Sequence, residues 1–454
     1  HGTFKDVQKR LEHIASLGFD VVYLPPIHPI GEAFRKGKNN TLSPDPDDVG
    51  SPWAIGGRTA DGAKGGHTAI HPDLGTEQDF IDLVLAAQEH EMEIALDIAF
   101  QCSPDHPWVE EHPEWFRKRA DGTIQYAENP PKKYQDIYPI DFESEAWESL
   151  WRALRDVMLY WVDRGVKIFR VDNPHTKAFG FWEWAIREIK EQHPDVLFLS
   201  EAFTRPKLMY RLAKLGFTQS YTYFAWRNEP WEIEQYFTEL TQTEVGDFFR
   251  PNAWPNTPDI LTDYLQHGGR PALMSRLVLA ATLSANYGIY GPPYEAGEVR
   301  AVRPNSEEYL DSEKYQIRHW SWSASRQMSA FIARVNQIRN EHPALQHDRT
   351  LRFHRMQNDK LIAYSKRWAE WRDTILVVVN TDPNNVQTGF TELDLEALGL
   401  RDDRPFEVHD LLTNARYLWR GKWNFVSLSP HTVPAHIFHV HSIGHTEEDR
   451  DHFA

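Results

Sequence analysis

The sequence predicts a parallel α/β barrel followed by a smaller all-β domain, and three observations predict it. Up to about Pro343, short apolar runs of strand length alternate with helical patterns, the arrangement of a parallel sheet built from β/α units. Successive runs end in carboxylates: Val166-Lys167-Ile168-Phe169-Arg170-Val171 leads to Asp172, and Val196-Leu197-Phe198-Leu199-Ser200 leads to Glu201. If the units close into a (β/α)8 barrel, such strand-end groups converge on one face, where barrel active sites lie. Beyond Pro343 the pattern changes to short β-rich runs separated by polar turns, as in a sandwich.

Taken in order, the elements begin with a helix. Phe4, Val7, Leu11, Ile14 and Leu17 fall on one helical face, and Gly18 ends it. A barrel whose first element is a helix lacks its first strand, so the chain is read as starting inside a domain. His1-Gly2-Thr3-Phe4 carries no signal-peptide pattern. Val21-Val22-Tyr23-Leu24 is a strand closed by Pro25-Pro26. The segment from Gly31 to Pro72, rich in Gly, Pro, Asn and Asp, is too long for a plain connection and suggests a functional loop. Thr76 opens a helix with Asp79 three residues on, a capping-box variant. Glu93 to Ile98 is a strand, residues 101–141 are an irregular insertion, and a Trp-rich helix runs from about Ser144 to Asp163 before Gly165. After the runs ending in Asp172 and Glu201, Gln219 to Phe224 and Tyr287 to Tyr290 read as further strands.

This gives a barrel over residues 1–345, a β-sandwich over 346–442 and an acidic tail over 443–454, expected to be disordered. The sandwich strands are expected at Leu351–Phe353, Leu361–Tyr364, Thr374–Val379, Phe406–Val408, Phe425–Leu428 and Ile437–Val440, with a short helical stretch from Leu393 to Leu400.

At 454 residues the chain has room for a barrel and a partner domain. A formal charge of −17 argues against nucleic acid or an anionic membrane as partner, and requires local cations for any anionic substrate. The single cysteine, Cys102, excludes an internal disulfide and fits a reducing, cytoplasmic setting. No apolar stretch is long enough for a membrane-spanning helix. Seventeen Trp and seventeen Tyr give mild support to sugar stacking, since bulky cores use the same rings.

Asp172 and Glu201, joined by Asp259 in the loop Asn252-Ala253-Trp254-Pro255-Asn256-Thr257-Pro258, make a three-carboxylate set. Retaining glycosidic chemistry needs two such groups, a nucleophile and an acid/base. Any one of them alone reads equally well as an internal ion pair, because Arg-x-Asp on a strand is common in cores. Three in succession favour catalysis.

These blocks resemble glycoside hydrolase family 13, the α-amylase family. They match its strand-3 motif in Ala95-Leu96-Asp97, its strand-4 Arg-x-Asp in Arg170 and Asp172, its strand-5 Glu in Glu201 and its loop Asp in Asp259. Most amylases carry Asn-His where this chain has Gln101-Cys102, and that Asn helps hold a structural calcium, so no metal is implied. Gln101-Cys102, Asn256 to Asp259, Glu128 to Asp136 and Tyr309 to Tyr315 resemble the maltosyltransferase branch, whose donor is maltose 1-phosphate. The resemblance spans nearly the whole chain and implies no cofactor, α-1,4-glucan or glycogen as acceptor, and a homodimer for full-length members.

By that resemblance Asp172 is the nucleophile, Glu201 the acid/base and Asp259 the stabiliser of the distorted sugar. Arg170, two residues before Asp172 and so on the same strand face, is expected to keep it ionised and oriented. Asn129, Lys132, Tyr134 and Asn173 are implied phosphate ligands; from composition alone Lys132-Lys133 would be a solvated patch. Gln101, Lys36, Lys314 and Tyr315 are implied sugar contacts, Lys38 serving as well as Lys36 on spacing. His436, His439 and His441 lack typical zinc spacing and read as surface histidines of a terminal strand. Gly56-Gly57 and Gly65-Gly66 lack the strand–Gly–helix context of a phosphate loop. Two rival readings stand: a hydrolase of the same family, and a glucan-binding fragment without turnover.

Overall fold

The computed structural model describes residues 2–443 apart from 131, 323–324 and 370–371. The acidic tail, Ile443 excepted, therefore lies outside the described residues, as does the side chain of Asn129. The chain forms two compact units: residues 1–221 with 302–320, and residues 222–301 with 321–454.

The first unit opens with α1 (Phe4–Ser16), where Thr3 and Asp6 form a reciprocal capping box and Phe4 and Leu11 are buried. Its parallel sheet comprises β1 (Val21–Leu24), β2 (Glu93–Ile98), β7 (Ile168–Asp172), β8 (Leu197–Glu201) and β9 (Gln219–Tyr221), adjacent in that order. The strands between β2 and β7 are short: β3 (Gln101–Cys102) pairs with β6 (Tyr138–Pro139), and β4 (Ala127–Asn129) with β5 (Lys132–Tyr134). Crossovers are made by α2 (Glu77–Glu89), capped by Thr76 and Asp79 as the sequence predicts, α4 (Trp147–Val162), α5 (Phe179–Gln192) and α6 (Pro206–Lys214); α3 (Pro107–Glu111) lies in the insertion. Both faces of β7 and most of β8 are buried, so these strands read as continuous apolar runs interrupted only where the site needs charge. Their core gathers Phe80, Leu96, Trp161, Phe169, Phe181, Trp182 and Phe198.

The long segment from Gly31 to Pro72 is irregular, as expected, and is anchored by buried imidazoles. His28 Nδ1 lies 2.9 Å from the Ala69 carbonyl, His67 Nε2 2.9 Å from the Ala99 carbonyl, and His67 Nδ1 3.0 Å from His106 Nε2. Burial pushes His28 down to about 4 and His67 down to about 3.

The second unit carries α7 (Pro230–Gln242), the parallel pair β10 (Pro251–Ala253) and β11 (Asn286–Tyr287), α8 (Asp263–Leu283), α9 (Gly291–Ala296) and α10 (Arg326–Glu341). Its antiparallel part holds β12 (Arg352–Met356), β13 (Leu361–Trp368), β14 (Asp373–Asn380), β15 (Gln387–Glu392), β16 (Pro405–Asp410), β17 (Arg416–Arg420), β18 (Trp423–Leu428) and β19 (Ala435–Ser442). The order is β17-β16-β19-β14-β13-β12-β15-β18. β12 changes layers within five residues, pairing through Arg352–His354 with β13 and through Arg355–Met356 with β15. Ala363, Leu376, Val378, Val408, Val426, Phe438 and Val440 fill the space between.

Several expectations are corrected here, among them the strand at Tyr287 to Tyr290, which the structure confines to Asn286–Tyr287. The strand at 219–224 ends at Tyr221, because the Thr222 side chain accepts the Phe224 N–H and starts a 3-10 turn. Residues 393–400 form turns rather than a helix: Asp394 accepts the Ala397 N–H, and Gly399 has φ of 71°. β15 and β17 were not foreseen, since β15 is mostly polar and β17, Tyr417-Leu418-Trp419 between two arginines, is largely exposed, so neither shows an apolar alternation.

Candidate active site

The parallel register of β2, β7 and β8 brings three carboxylates around one guanidinium. Asp97 lies opposite Arg170, and Asp172 opposite Glu201. Arg170 Nη1 donates to Asp97 Oδ2 and to Asp172 Oδ1, both at 2.9 Å, and Nη2 lies 3.4 Å from Glu201 Oε1. All four side chains are buried, with Asp172 and Glu201 the most open at 7% and 8% exposed. A buried guanidinium of this kind is viable only with its charge matched, and its planar fork gives each partner a fixed position. Tyr23 OH donates to Asp97 Oδ2 at 2.6 Å, and the rings of Tyr23 and Tyr221 lie about 6 Å from the guanidinium. Burial raises the Asp97 carboxyl despite Arg170, and raises both tyrosines.

The chain turns sharply after Asp172. Asn173 is left-handed (φ 44°, ψ 53°), which asparagine tolerates better than most residues. That turn points its backbone N–H at Glu201 Oε2, 3.2 Å away, and its side-chain amide toward Asp172 Oδ1 at 3.4 Å. Lys177 clamps the turn from below, donating to the carbonyls of Asp172 (3.2 Å) and Asn173 (3.3 Å). Burial lowers Lys177, with Asp172 and Glu201 pulling the other way.

The remaining candidates of the first unit form two groups. On the β4–β5 hairpin Asn129 is opposite Lys132; Lys132 and Tyr134, two apart on an extended strand, are half-buried while Lys133 between them is exposed. Lys132 Nζ is paired with Glu308 Oε1 at 2.9 Å. The second group surrounds Trp53: Gln101 Nε2 donates to its carbonyl at 3.2 Å, and Lys314 Nζ lies 5.7 Å from its ring and 5.5 Å from that of buried Tyr315. Lys36, rather than exposed Lys38, is buried; it contacts the Gln135 side chain and is lowered by burial, with Asp136 opposing. Cys102 is buried and its thiol raised, as a wall residue would be.

Asp259 belongs to the second unit. Its N–H donates to Thr257 Oγ1 at 3.2 Å within a tight turn where Thr257 pairs with Ile260. Buried Asn256 fixes the loop by exchanging hydrogen bonds with the Tyr290 backbone at 2.9 and 3.2 Å. Tyr23, Trp53, Lys177 and Glu308 were not foreseen. Lys177 had a local signal, its place five residues after Asp172, whereas the others meet the site only through the fold.

A family model described as "GLGE, C-terminal" matches residues 353–440. The α-1,4-glucan:maltose-1-phosphate maltosyltransferase of Salinibacter ruber is 55% identical over 448 residues, covering 99% of this chain and 67% of that protein. The chain belongs to this maltosyltransferase family. Members from Methylacidiphilum infernorum (55% identical, 98% of this chain) and Chlorobaculum tepidum (56%, 97%) agree, and the chain spans 66% of the length of each. Among solved structures, the maltogenic α-amylase AmyB of Thermotoga neapolitana matches with a TM-score of 0.72 at 18% identity, covering 97% of this chain and 94% of that one. An α-amylase from Lactobacillus plantarum matches at 0.70 and 21%, covering 96% and 94%. These likenesses fix the fold of this chain as the α-amylase-type barrel with its C-terminal β-domain.

Proposed function

We propose that this chain moves maltosyl units from α-maltose 1-phosphate to the non-reducing end of α-1,4-glucans such as glycogen, releasing phosphate. The observation that carries the reading is the shared guanidinium: Arg170 holds Asp172 and Glu201, at the ends of adjacent parallel strands, in one buried cluster.

In the first step an Asp172 oxygen attacks the donor's anomeric carbon. The bond to the phosphate oxygen breaks, phosphate leaves with the electron pair, and a β-maltosyl ester forms on Asp172. In the second, Glu201 takes the proton of the acceptor's 4-hydroxyl as that oxygen attacks the same carbon and displaces Asp172. Asn173 serves both residues, through its N–H to Glu201 and its amide to Asp172. Lys132, Tyr134, Asn129 and Asn173 take the phosphate; the pairing of Lys132 with Glu308 means that the donor replaces a carboxylate already there. Lys36, Gln101, Lys314 and Tyr315 contact sugar, and Asp259 holds the hydroxyls of the distorted ring.

The full-length protein is proposed as a cytoplasmic homodimer. Among the described residues no helix is long and apolar enough to cross a membrane.

The test is incubation with maltose 1-phosphate and maltohexaose, following phosphate and glucan masses. Growth in steps of two glucoses with matching phosphate supports transfer. Shortening of glucan without the phosphate donor supports a hydrolase, and glucan binding with no product supports a fragment without turnover.

A further inference from the structure

A cluster of imidazoles in the second unit has no part in the proposed reaction. β14 and β19 pair with Ile375 opposite His439, and β16 and β19 pair with His409 opposite His439 and Glu407 opposite His441. Opposed residues, and residues two apart, share one sheet face. Asp373, His409, His439 and His441 therefore lie on the same face. His436, of opposite parity, lies on the other, where its Nδ1 pairs with Asp410 Oδ2 at 2.9 Å.

His342, which ends α10, reaches the same place. Its Nδ1 is 2.8 Å from Asp373 Oδ1, and His439 Nε2 is 3.4 Å from that same oxygen. One ligand atom from each of the three residues lies within 4.8 Å of the others. The rings of His342 and His439 are 4.7 Å apart, and those of His439 and His441 4.1 Å apart. Side-chain exposures of 12%, 8% and 23% for His342, Asp373 and His439 leave the pocket walled but reachable.

A plain helix lock explains part of this. Asp373 Oδ2 accepts the Ala344 N–H at 3.0 Å and Oδ1 takes one imidazole, which together tie the end of α10 to β14. The lock gives no reason for a second imidazole on the same oxygen and a third against it. Two imidazole nitrogens and a carboxylate are a donor set suited to zinc, and a zinc ion with bonds of about 2.0–2.2 Å needs its tetrahedral donors ~3.3–3.6 Å apart. The observed separations bracket that spacing.

We propose that His342, Asp373 and His439 bind one divalent transition-metal ion of the zinc class, with His441 beside them as a further donor. The ion would pin the end of α10 to β14 and β19 and so stabilise the folded state, by an amount that grows with the logarithm of its free concentration above the dissociation constant.

The experiment uses the untagged full chain, stripped with chelator, incubated with zinc, desalted and analysed for metal. About one zinc per chain is expected to remain, with a higher Tm than the stripped protein, and cobalt in its place is expected to show the visible bands of a tetrahedral site. His439→Phe should lose the metal, the Tm gain and the cobalt spectrum. His436→Phe, on the opposite face, should keep all three. His342→Gln serves as a second probe that leaves Asp373 and its bond to Ala344 in place, and should behave as His439→Phe does. Loss of zinc from the wild-type chain on desalting, or equal retention by His439→Phe and His342→Gln, overturns the proposal.

Discussion

Glu201 has unequal work in the two halves of the proposed reaction, because phosphate, with a second pKa of about 6, leaves well without a proton donor. The acceptor hydroxyl is weakly acidic and needs a base. Glu201→Ala is therefore expected to react with maltose 1-phosphate, release up to about one equivalent of phosphate and stall as a maltosyl-enzyme visible by intact-protein mass spectrometry. Asp172→Ala should give neither burst nor adduct, and full turnover by Glu201→Ala would remove its assigned role. Lys132→Ala is expected to cost about 1.5–3 kcal/mol in kcat/KM for maltose 1-phosphate, the worth of a charge-assisted bond, and much less for maltosyl fluoride. Equal losses with both donors would make Lys132, with its partner Glu308, a support of the hairpin only. At this scale the sequence was informative where a residue's place on a strand fixes its direction: Asp172, Glu201 and Arg170 follow from alternation and strand ends. Tyr23 and Trp53 do not, since Tyr23 meets Asp97 through strand register and Trp53 meets Gln101 and Lys314 through a loop whose path no periodicity encodes.

The turn after β7 and the loop after β1 carry the element-scale expectations. Asn173 sits left-handed, where a β-carbon costs about 1–2 kcal/mol outside Gly and Asn. Asn173→Ala should thus have a lower Tm than Asn173→Gly, although both remove the same amide; the reverse order would show the turn to be unstrained. The loop from Gly31 to Pro72 depends on His28 and His67 staying neutral. Unfolded histidine takes up a proton near pH 6.5, whereas these two do so only at about 4 and about 3. Their contribution is thus complete above about pH 6.5 and declines as the pH falls through that window, because the unfolded chain then binds more protons. Thermal unfolding from pH 7 to 4 should show Tm falling, with a shallower slope in His67→Gln; parallel slopes would discount His67. Elements were legible where burial imposed an apolar pattern, a helical period in α1 and continuous runs in β2, β7 and β8. They were missed where exposure freed the sequence from one: every residue of β17 except Trp419 is exposed.

Over the whole chain, the formal charge of −17 sets the cations of the candidate site against their surroundings. An anionic donor approaches through an unfavourable field that salt screens over about 8–10 Å near physiological ionic strength. Raising salt should therefore raise kcat/KM for maltose 1-phosphate and leave maltosyl fluoride nearly unchanged. A fall with salt would mean that the local cations around Lys132 dominate the approach. The order of β/α units and the change of character near Pro343 were legible because each follows from hydrophobic patterning. The division into units, with residues 302–320 in the first and 321–454 in the second, was not, since it depends on which distant segments touch. One strand of the C-terminal β-domain has a further consequence. β12 gives three residues to one layer and two to the other, so it belongs wholly to neither. Neither layer has an independent edge from which to peel at that point, and melting either one withdraws a partner strand from its neighbour. That five-residue strand couples the two layers, and the expected outcome is a single unfolding transition for both, with hydrogen exchange in β13 and β15 rising together.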